Sequence, residues 1–256
     1  MMNLNNKNIL ITGASRGIGF GVVEKLLKEH NCNIATVSRK IDSLDELFSN
    51  ARKGDRKFKA YSCDVTEKQS VAETYKNITS DFGEIDIAIL NAGVGYLVTP
   101  ETFNSEFAEK TFAVNFLGVI YFIEQLLPSM IERKSGIIAG VSSLADARGF
   151  SGSGFYCASK AALSTYLEGL RIELFSYGIK VITIKPGFVK TDMTDQNNFD
   201  MPFLMDIHKS ADYIINGIKK EKREIAYPFA TAFGSKLIRK LPDTFYEFLA
   251  KRFKLG

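Results

Sequence analysis

Tyr156 and Lys160 stand four residues apart in a stretch, 155–177, whose apolar spacing predicts a helix, so both side chains lie on one face, a turn apart. That spacing suits proton transfer. A free tyrosine has a pKa of about 10, and an ammonium close by lowers it by roughly 1–3 units, which makes the phenol useful as an acid or base near neutrality. The pair alone also occurs on ordinary helices, where its members pack or face solvent. A second chemical signal is Thr12-Gly13-Ala14-Ser15-Arg16-Gly17-Ile18-Gly19, between an apolar run and a helical pattern. Glycines there permit a tight turn, close approach of the backbone to a phosphate, and close helix packing, while the helix N-terminus offers free N–H groups to an anion.

The elements that must position these residues alternate from the first residues onward. Apolar runs at Asn8–Thr12, Asn33–Ser38, Phe58–Cys63, Ile85–Leu90, Gly136–Ser142, Lys180–Lys185 and Glu224–Tyr227 read as strands. Helical patterns fall between them at 17–29, 42–52, 67–80, 105–133, 155–177 and 206–220. Continuous apolar strands alternating with amphipathic helices predict an α/β fold, a single doubly wound Rossmann domain over 1–256. Its parallel sheet has about seven strands with helices on both faces, and ligands are expected at the carboxyl ends of the strands. No repeat, low-complexity segment or linker interrupts the chain.

Further motifs occur in order on these elements. Asp64-Val65 follows the third strand, Asn91-Ala92-Gly93 the fourth, and Asn115 lies in the long apolar helix. Ser142-Ser143 ends the fifth strand, Tyr156-Cys157-Ala158-Ser159-Lys160 opens the next helix, and Pro186-Gly187, Val189 and Thr191 follow the sixth strand. The glycine loop is spaced G-x-x-x-G-x-G, not G-x-G-x-x-G. Over about residues 7–192 this set resembles the short-chain dehydrogenase/reductase family. One departure is Leu90, where the family often has a second Asn; the Asn91-Ala92-Gly93 triplet is intact.

The resemblance implies a catalytic set of Asn115, Ser143, Tyr156 and Lys160. Tyr156 would exchange a proton with a carbonyl oxygen as hydride moves to or from the nicotinamide. Ser143, thirteen residues before Tyr156, would hydrogen-bond the substrate oxygen; Ser142 faces the other side of the strand. Asn115 has two readings, a satisfied buried amide or the holder of a water that passes protons to Lys160. The same resemblance assigns the cofactor to Gly13, Ser15, Arg16, Gly17, Ile18, Gly19, Arg39, Asp64, Val65, Asn91, Ala92, Gly93, Tyr156, Lys160, Pro186, Gly187, Val189 and Thr191. Thr191 matches the residue that contacts the nicotinamide carboxamide.

The second strand ends Thr36-Val37-Ser38-Arg39-Lys40, with no acid to bind ribose hydroxyls as NAD sites require. Asp42 opens a helix, where acids cap free N–H groups. Arg39, with Arg16, can fork onto a 2′-phosphate, and in the family basic residues at these positions go with NADP(H). The expected activity is NADPH-dependent carbonyl reduction. Two alternatives are an NAD-dependent alcohol dehydrogenase and a non-catalytic NADP(H)-binding regulatory protein.

Composition narrows the field further. The chain has 256 residues, 45% hydrophobic and 24% charged, which excludes a disordered chain, a collagen-like repeat and a disulfide mini-scaffold. No apolar run approaches the roughly 18 residues of a membrane span, and Met1–Lys7 leaves no room for a signal peptide, so the expected location is the cytoplasm. Cys32, Cys63 and Cys157 with two His offer no usual metal site, and no metal is expected. Net charge is +4, yet residues 219–256 hold ten Lys/Arg against four Asp/Glu, leaving 1–218 slightly negative. With no nucleic-acid motif beside these charges, no nucleic-acid partner is expected.

In the family that the chain resembles, the segment after the sixth strand is the substrate lid, so residues 192–256 are expected to be a lid followed by amphipathic helices. Met193, Phe199, Met201, Phe203 and Met205 would line a small apolar carbonyl or alcohol substrate, with Tyr96, Phe150 and Phe155; core packing of a short helix is the alternative. The resemblance places dimer and tetramer contacts on the helices over 105–133 and 155–177, whose Phe112, Phe116, Tyr121, Phe122, Tyr166 and Phe175 fit a homodimer or homotetramer unless core packing absorbs them. At the end, 229–241 and 243–254 place Phe229, Phe233, Leu237, Ile238, Phe245, Phe248, Leu249 and Phe253 at near-helical spacing among Lys236, Arg239, Lys240, Lys251, Arg252 and Lys254. Such a segment can pack on its own domain, close the pocket, cover a partner subunit or make peripheral contact with an anionic membrane.

Overall fold

A computed structural model describes residues 1–51, 54, 56–195 and 201–253. Seven parallel strands, β1 (Asn8–Thr12), β2 (Asn33–Ser38), β3 (Phe58–Ser62), β4 (Ile87–Leu90), β5 (Gly136–Val141), β6 (Ile179–Pro186) and β7 (Glu224–Tyr227), form one sheet in the order β3-β2-β1-β4-β5-β6-β7. The order reverses between β1 and β4, which opens a crevice at the carboxyl ends. Register aligns those ends: Thr12 pairs with Leu90 and Leu90 with Gly140. Glycine loop, Asn91 and Ser143 therefore emerge side by side.

Alternation along the strands feeds two cores. Ile9 and Ile11 pack with Val22, Val23 and Leu26 of α1 (Gly17–Glu29) and with Ile214, Ile215 and Ile218 of α7 (Ile207–Lys219). Leu10 points the other way, into a cluster with Val71 and Ile78 of α3 (Lys68–Phe82) and Leu163 and Leu167 of α6 (Gly154–Glu173). The remaining sheet helix is α2 (Asp42–Asn50), which buries Leu44 and Phe48. The strands being buried on both faces explains why they read as unbroken apolar runs.

The long helix over 105–133 has three parts: α4 (Ser105–Phe112), a π-helical turn at Ala113–Leu117, and α5 (Gly118–Glu132). By length and composition Ser105–Glu132 could cross a membrane, with mean hydropathy 1.5, contrary to the expectation that no stretch approaches that. Its apolarity has a local cause, since Val119, Phe122, Ile123, Leu126 and Met130 are buried in the second core. Phe122 is thus a core residue and not an exposed contact, while Phe112, Phe116, Tyr121 and Tyr166 are partly buried and Phe175 is exposed.

The region after 192 is not all lid. α7 and β7 complete the sheet layers, and Met205 is buried beside Val189, with which it forms a parallel bridge. Core packing, the alternative reading, holds for Met205. Met193 and Phe203 remain exposed, and Phe199 lies outside the described residues. Two helices, α8 (Phe229–Lys240) and α9 (Asp243–Phe253), close the chain. They bury Ala232 and Tyr246, but Phe229, Phe233, Leu237, Phe245 and Phe248 face outward. Lys254 and the side chain of Phe253 lie outside the described residues.

Candidate active site

The loop from Thr12 into α1 is built around two glycines that tolerate no side chain. Gly13 has φ +64°, and a Cβ there would sit 2.6 Å from Ala92 Cα; one on Gly19 would sit 2.5 Å from the Gly13 carbonyl oxygen. Space is kept open for backbone alone. Gly17, φ +58°, faces Thr191, so the loop touches the segment after β6. The first turn of α1 carries no acid, and its N-cap Arg16 makes no side-chain cap bond, leaving N–H groups and a positive helix end directed at the crevice. A phosphate-bearing cofactor fits this cradle.

Several residues of the predicted cofactor set are engaged in holding the loop. Asn91 Nδ2 donates to the carbonyls of Thr12 (3.1 Å) and Gly13 (3.0 Å), while the N–H groups of Asn91 and Ala92 donate to Thr12 Oγ1. Asp64 accepts from the N–H and hydroxyl of Thr66, and Val65 packs against Gly118. Gly187 N–H donates to Tyr227 O at 2.7 Å, beside Pro186. Thr191 is braced by its N–H bond to Thr194 Oγ1 at 2.8 Å. Ser15 accepts from Ser43 at its carbonyl, and Ile18 packs against the first core. Sequence reasoning missed Ser38: its hydroxyl accepts from Ala14 N–H (2.9 Å) and Ser15 N–H (3.1 Å), where a carboxylate would stand in an NAD site. Nothing in the sequence but its place at the strand end marks it. Arg39 is exposed beside it. Arg16 reaches the other way, pairing with Asp192 at 3.0 Å.

Ser143, Tyr156 and Lys160 converge at the end of β5. Ser143 caps the 3-10 turn Leu144–Ala147, its Oγ accepting from Ala145 N–H at 3.1 Å, and its hydroxyl lies on the Tyr156 side of the turn, where it favours the charged form of the phenol. Lys160 is 3% exposed and donates to Val141 O at 2.8 Å, with its Nζ 5.8 Å from the Tyr156 ring centre. Burial pushes the lysine down to about 8. Burial also holds Tyr156 above its ordinary value, with the Ser143 hydroxyl opposing. The expected lowering of Tyr156 by Lys160 is not what the structure gives: desolvation dominates, and it acts against the charge on both groups.

Asn115 is fully buried inside the π-helical turn, a distortion that re-aims its amide out of the helix. Its Oδ1 accepts from Val94 N–H (2.8 Å), and Nδ2 donates to Val94 O (2.9 Å) and Ser159 Oγ (3.0 Å). The amide is satisfied by protein, as one of its two readings holds. A Cβ on Gly93 would lie 3.4 Å from both Asn115 Oδ1 and Lys160 Nζ, so amide and ammonium flank the same backbone.

Ser142 faces away, as its position on the strand predicts. Its hydroxyl donates to Lys160 O (2.8 Å) and meets Ser164, which also bonds Asp146; Asp146 pairs with Lys185 at 2.9 Å. This polar chain pins the back of the site. At the mouth, Gly95 lies against the Tyr156 ring and Met193 Sδ, Phe103 meets Phe155, and Tyr96 meets Phe107. The walls are apolar. Among the described residues no group of His, Cys, Asp and Glu could hold a metal, and the three cysteines are free and buried.

Residues 7–202 match the short chain dehydrogenase family. An uncharacterized oxidoreductase of Myxococcus xanthus is 33% identical over 254 residues, 99% of this chain and 100% of that one. The 3-ketodihydrosphingosine reductase of Dictyostelium discoideum is 31% identical over 278 residues, 96% of this chain and 81% of its own. A short chain dehydrogenase/reductase of Burkholderia phymatum, solved in complex with NAD, superimposes with TM-score 0.84 at 20% identity, covering 94% and 95% of the two chains.

Proposed function

The chain belongs to the short chain dehydrogenase family of oxidoreductases, and from that premise we propose that it transfers hydride between NADP(H) and the carbonyl of an apolar ketone or aldehyde, or the corresponding alcohol. The observation that carries this reading is the convergence of Ser143, Tyr156 and Lys160 beside the glycine cradle. When bound, the cofactor supplies or accepts the hydride. Gly17, Ile18 and Gly19 hold its phosphates through backbone N–H groups at the start of α1, while Gly13, whose N–H is bonded to Val37 O, shapes the turn that leads there. Pro186, Gly187, Val189 and Thr191 hold the nicotinamide end, and Asp64, Val65, Asn91, Ala92 and Gly93 the crevice floor. Tyr156 gives its proton to the carbonyl oxygen while Ser143 hydrogen-bonds the same oxygen and stabilises its developing charge. Lys160 orients the Tyr156 side of the site, and Asn115 holds the Val94 backbone beside it through both ends of its amide. The Met193, Phe155 and Phe103 walls favour an apolar substrate. A homodimer or homotetramer in the cytoplasm is the working state, with the exposed Ile172, Phe175 and Tyr177 at the end of α6 as contact residues.

Preference for NADPH over NADH rests on Ser38, whose hydroxyl is committed to the loop, and on Arg39 beside it. Proteins of this fold were solved with NAD, from Burkholderia phymatum, and with NADP, from Burkholderia cenocepacia, so both cofactors belong in the test. A panel of aliphatic and aromatic ketones and aldehydes is assayed with each cofactor by absorbance of the reduced nicotinamide. Turnover with NADPH is expected, and Arg39→Ala should weaken NADPH binding by the roughly tenfold or more that a lost charge-assisted bond of about 1.5–3 kcal/mol implies, leaving NADH unchanged. Equal affinity of the unmodified protein for both cofactors would contradict the charge reading. Cofactor binding without turnover on any carbonyl would leave the non-catalytic alternative.

A further inference from the structure

The outward face of α8 combines apolar exposure with a net positive charge. Phe229, Phe233 and Leu237 recur at intervals of four, on one side of the helix, and are 81%, 56% and 51% exposed. The first two rings stack with centres 6.2 Å apart. Lys236 and Lys240 fall three residues after Phe233 and Leu237, so their stems flank the same stripe. Inward, the helix is fixed by Ala232 and by Ser235, whose hydroxyl donates to Leu144 O at 3.1 Å. The stripe is not turned outward by loose packing.

The neighbouring charges select what covers it. Phe229 and Phe233 border a cleft that also exposes Lys209, Lys220, Lys222 and Lys236. The two acids there, Asp212 and Glu224, are already paired with Lys25 and with Lys185 and Lys236. Lys209, Lys220 and Lys222 have no ion pair among the described residues. A second copy docking about a twofold axis would bring this surface against its own image, lysines opposite lysines. An anionic partner is required, and the aromatic stripe beside the charges requires that partner to have an apolar interior. Both demands are met by a lipid bilayer: rings enter the boundary between headgroups and acyl chains, and lysine heads reach lipid phosphates. Phe245 and Phe248 of α9, 50% and 61% exposed, with Arg252 one turn further, add a second element of the same kind.

We propose that α8, assisted by α9, docks the protein on an anionic lipid surface. Docking here has a consequence for the site. Arg148, five residues beyond Ser143, donates to the carbonyls of Ile238 and Leu241, pairs with Asp243 at 2.7 Å and lies over the Tyr246 ring, while Tyr246 donates to Gly149 O at 2.7 Å. The docking helices are thus fastened to the loop that leaves Ser143. The docking itself does not rest on the reductase reading.

The test is co-sedimentation of the full chain with vesicles of phosphatidylcholine alone and of phosphatidylcholine mixed with phosphatidylglycerol. Binding to the mixed vesicles is expected, weakening as salt screens the lysines. Phe229→Ser with Phe233→Ser should lower binding by at least about tenfold, since both rings then contribute no apolar surface to the lipid. Because both rings are exposed, the variant should keep its circular dichroism, thermal midpoint and NADPH binding. No sedimentation of the unmodified chain, or equal binding by the variant, would overturn the proposal. So would a variant that changes only the oligomer mass by light scattering, which would make the face a subunit contact. Vesicle binding by a protein that reduces no carbonyl would uphold docking and remove the reductase reading.

Discussion

Lys160 has two polar roles and a cost. Its ammonium is enclosed at the end of β5, held by Val141 O, and burial brings its pKa from 10.5 to about 8. The folded protein therefore binds fewer protons than the unfolded chain between about 8 and 10.5, so stability from this residue rises with pH across that window and is level below it. We expect pH-dependent acylation of Lys160 in the free protein, followed by mass spectrometry, to give a midpoint near 8; a midpoint at the ordinary 10.5 would show that the ammonium is solvated. Ser143, Tyr156 and Lys160 were legible in the sequence because their spacing is local to one strand end and one helix. Ser38 was not, because its importance comes from Ala14 and Ser15 arriving from another strand. The sign of the Tyr156 shift was missed for a related reason. Spacing shows which charge is near, but not how much water has been removed.

At the scale of elements, the two closing helices depend on one side chain outside them. Arg148 satisfies carbonyls at the end of α8 and the carboxylate at the start of α9. Arg148→Ala should destabilise the protein by about 1–3 kcal/mol through the carbonyls left without their donor. Hydrogen exchange should quicken first over 229–253, with the β1 and β4 amides still protected until global unfolding. Uniform acceleration throughout the sheet would show that the hairpin is not a separate unit. Helix and strand positions were readable from periodicity to within a few residues. The π-helical turn was not, since Phe112-Ala113-Val114-Asn115-Phe116 has an ordinary helical pattern and the extra residue shows only when the Asn115 amide is seen bonding Val94. Likewise Met205 had the composition of a lid residue, and only the bridge to Val189 places it in the core.

For the whole molecule, the sheet order brings the glycine loop after β1, Asn91 after β4 and Ser143 after β5 to adjacent strand ends, from stretches far apart in sequence. A doubly wound parallel sheet was expected from alternating strands and helices, though not its strand order, and the outward face of the tail was expected only as one of several uses, because charge and apolarity do not reveal which side packs inward. In the proposed reaction Tyr156 carries the proton to the carbonyl oxygen at this crevice. It is tested most directly by measuring single-turnover reduction of the best carbonyl found with NADPH, for the unmodified protein and for Tyr156→Phe, alongside NADPH binding by each. Loss of only the hydroxyl keeps the ring that packs on Gly95, so the account predicts a rate lower by at least about 10²-fold with cofactor binding retained. A rate within a few-fold of the unmodified protein would contradict it.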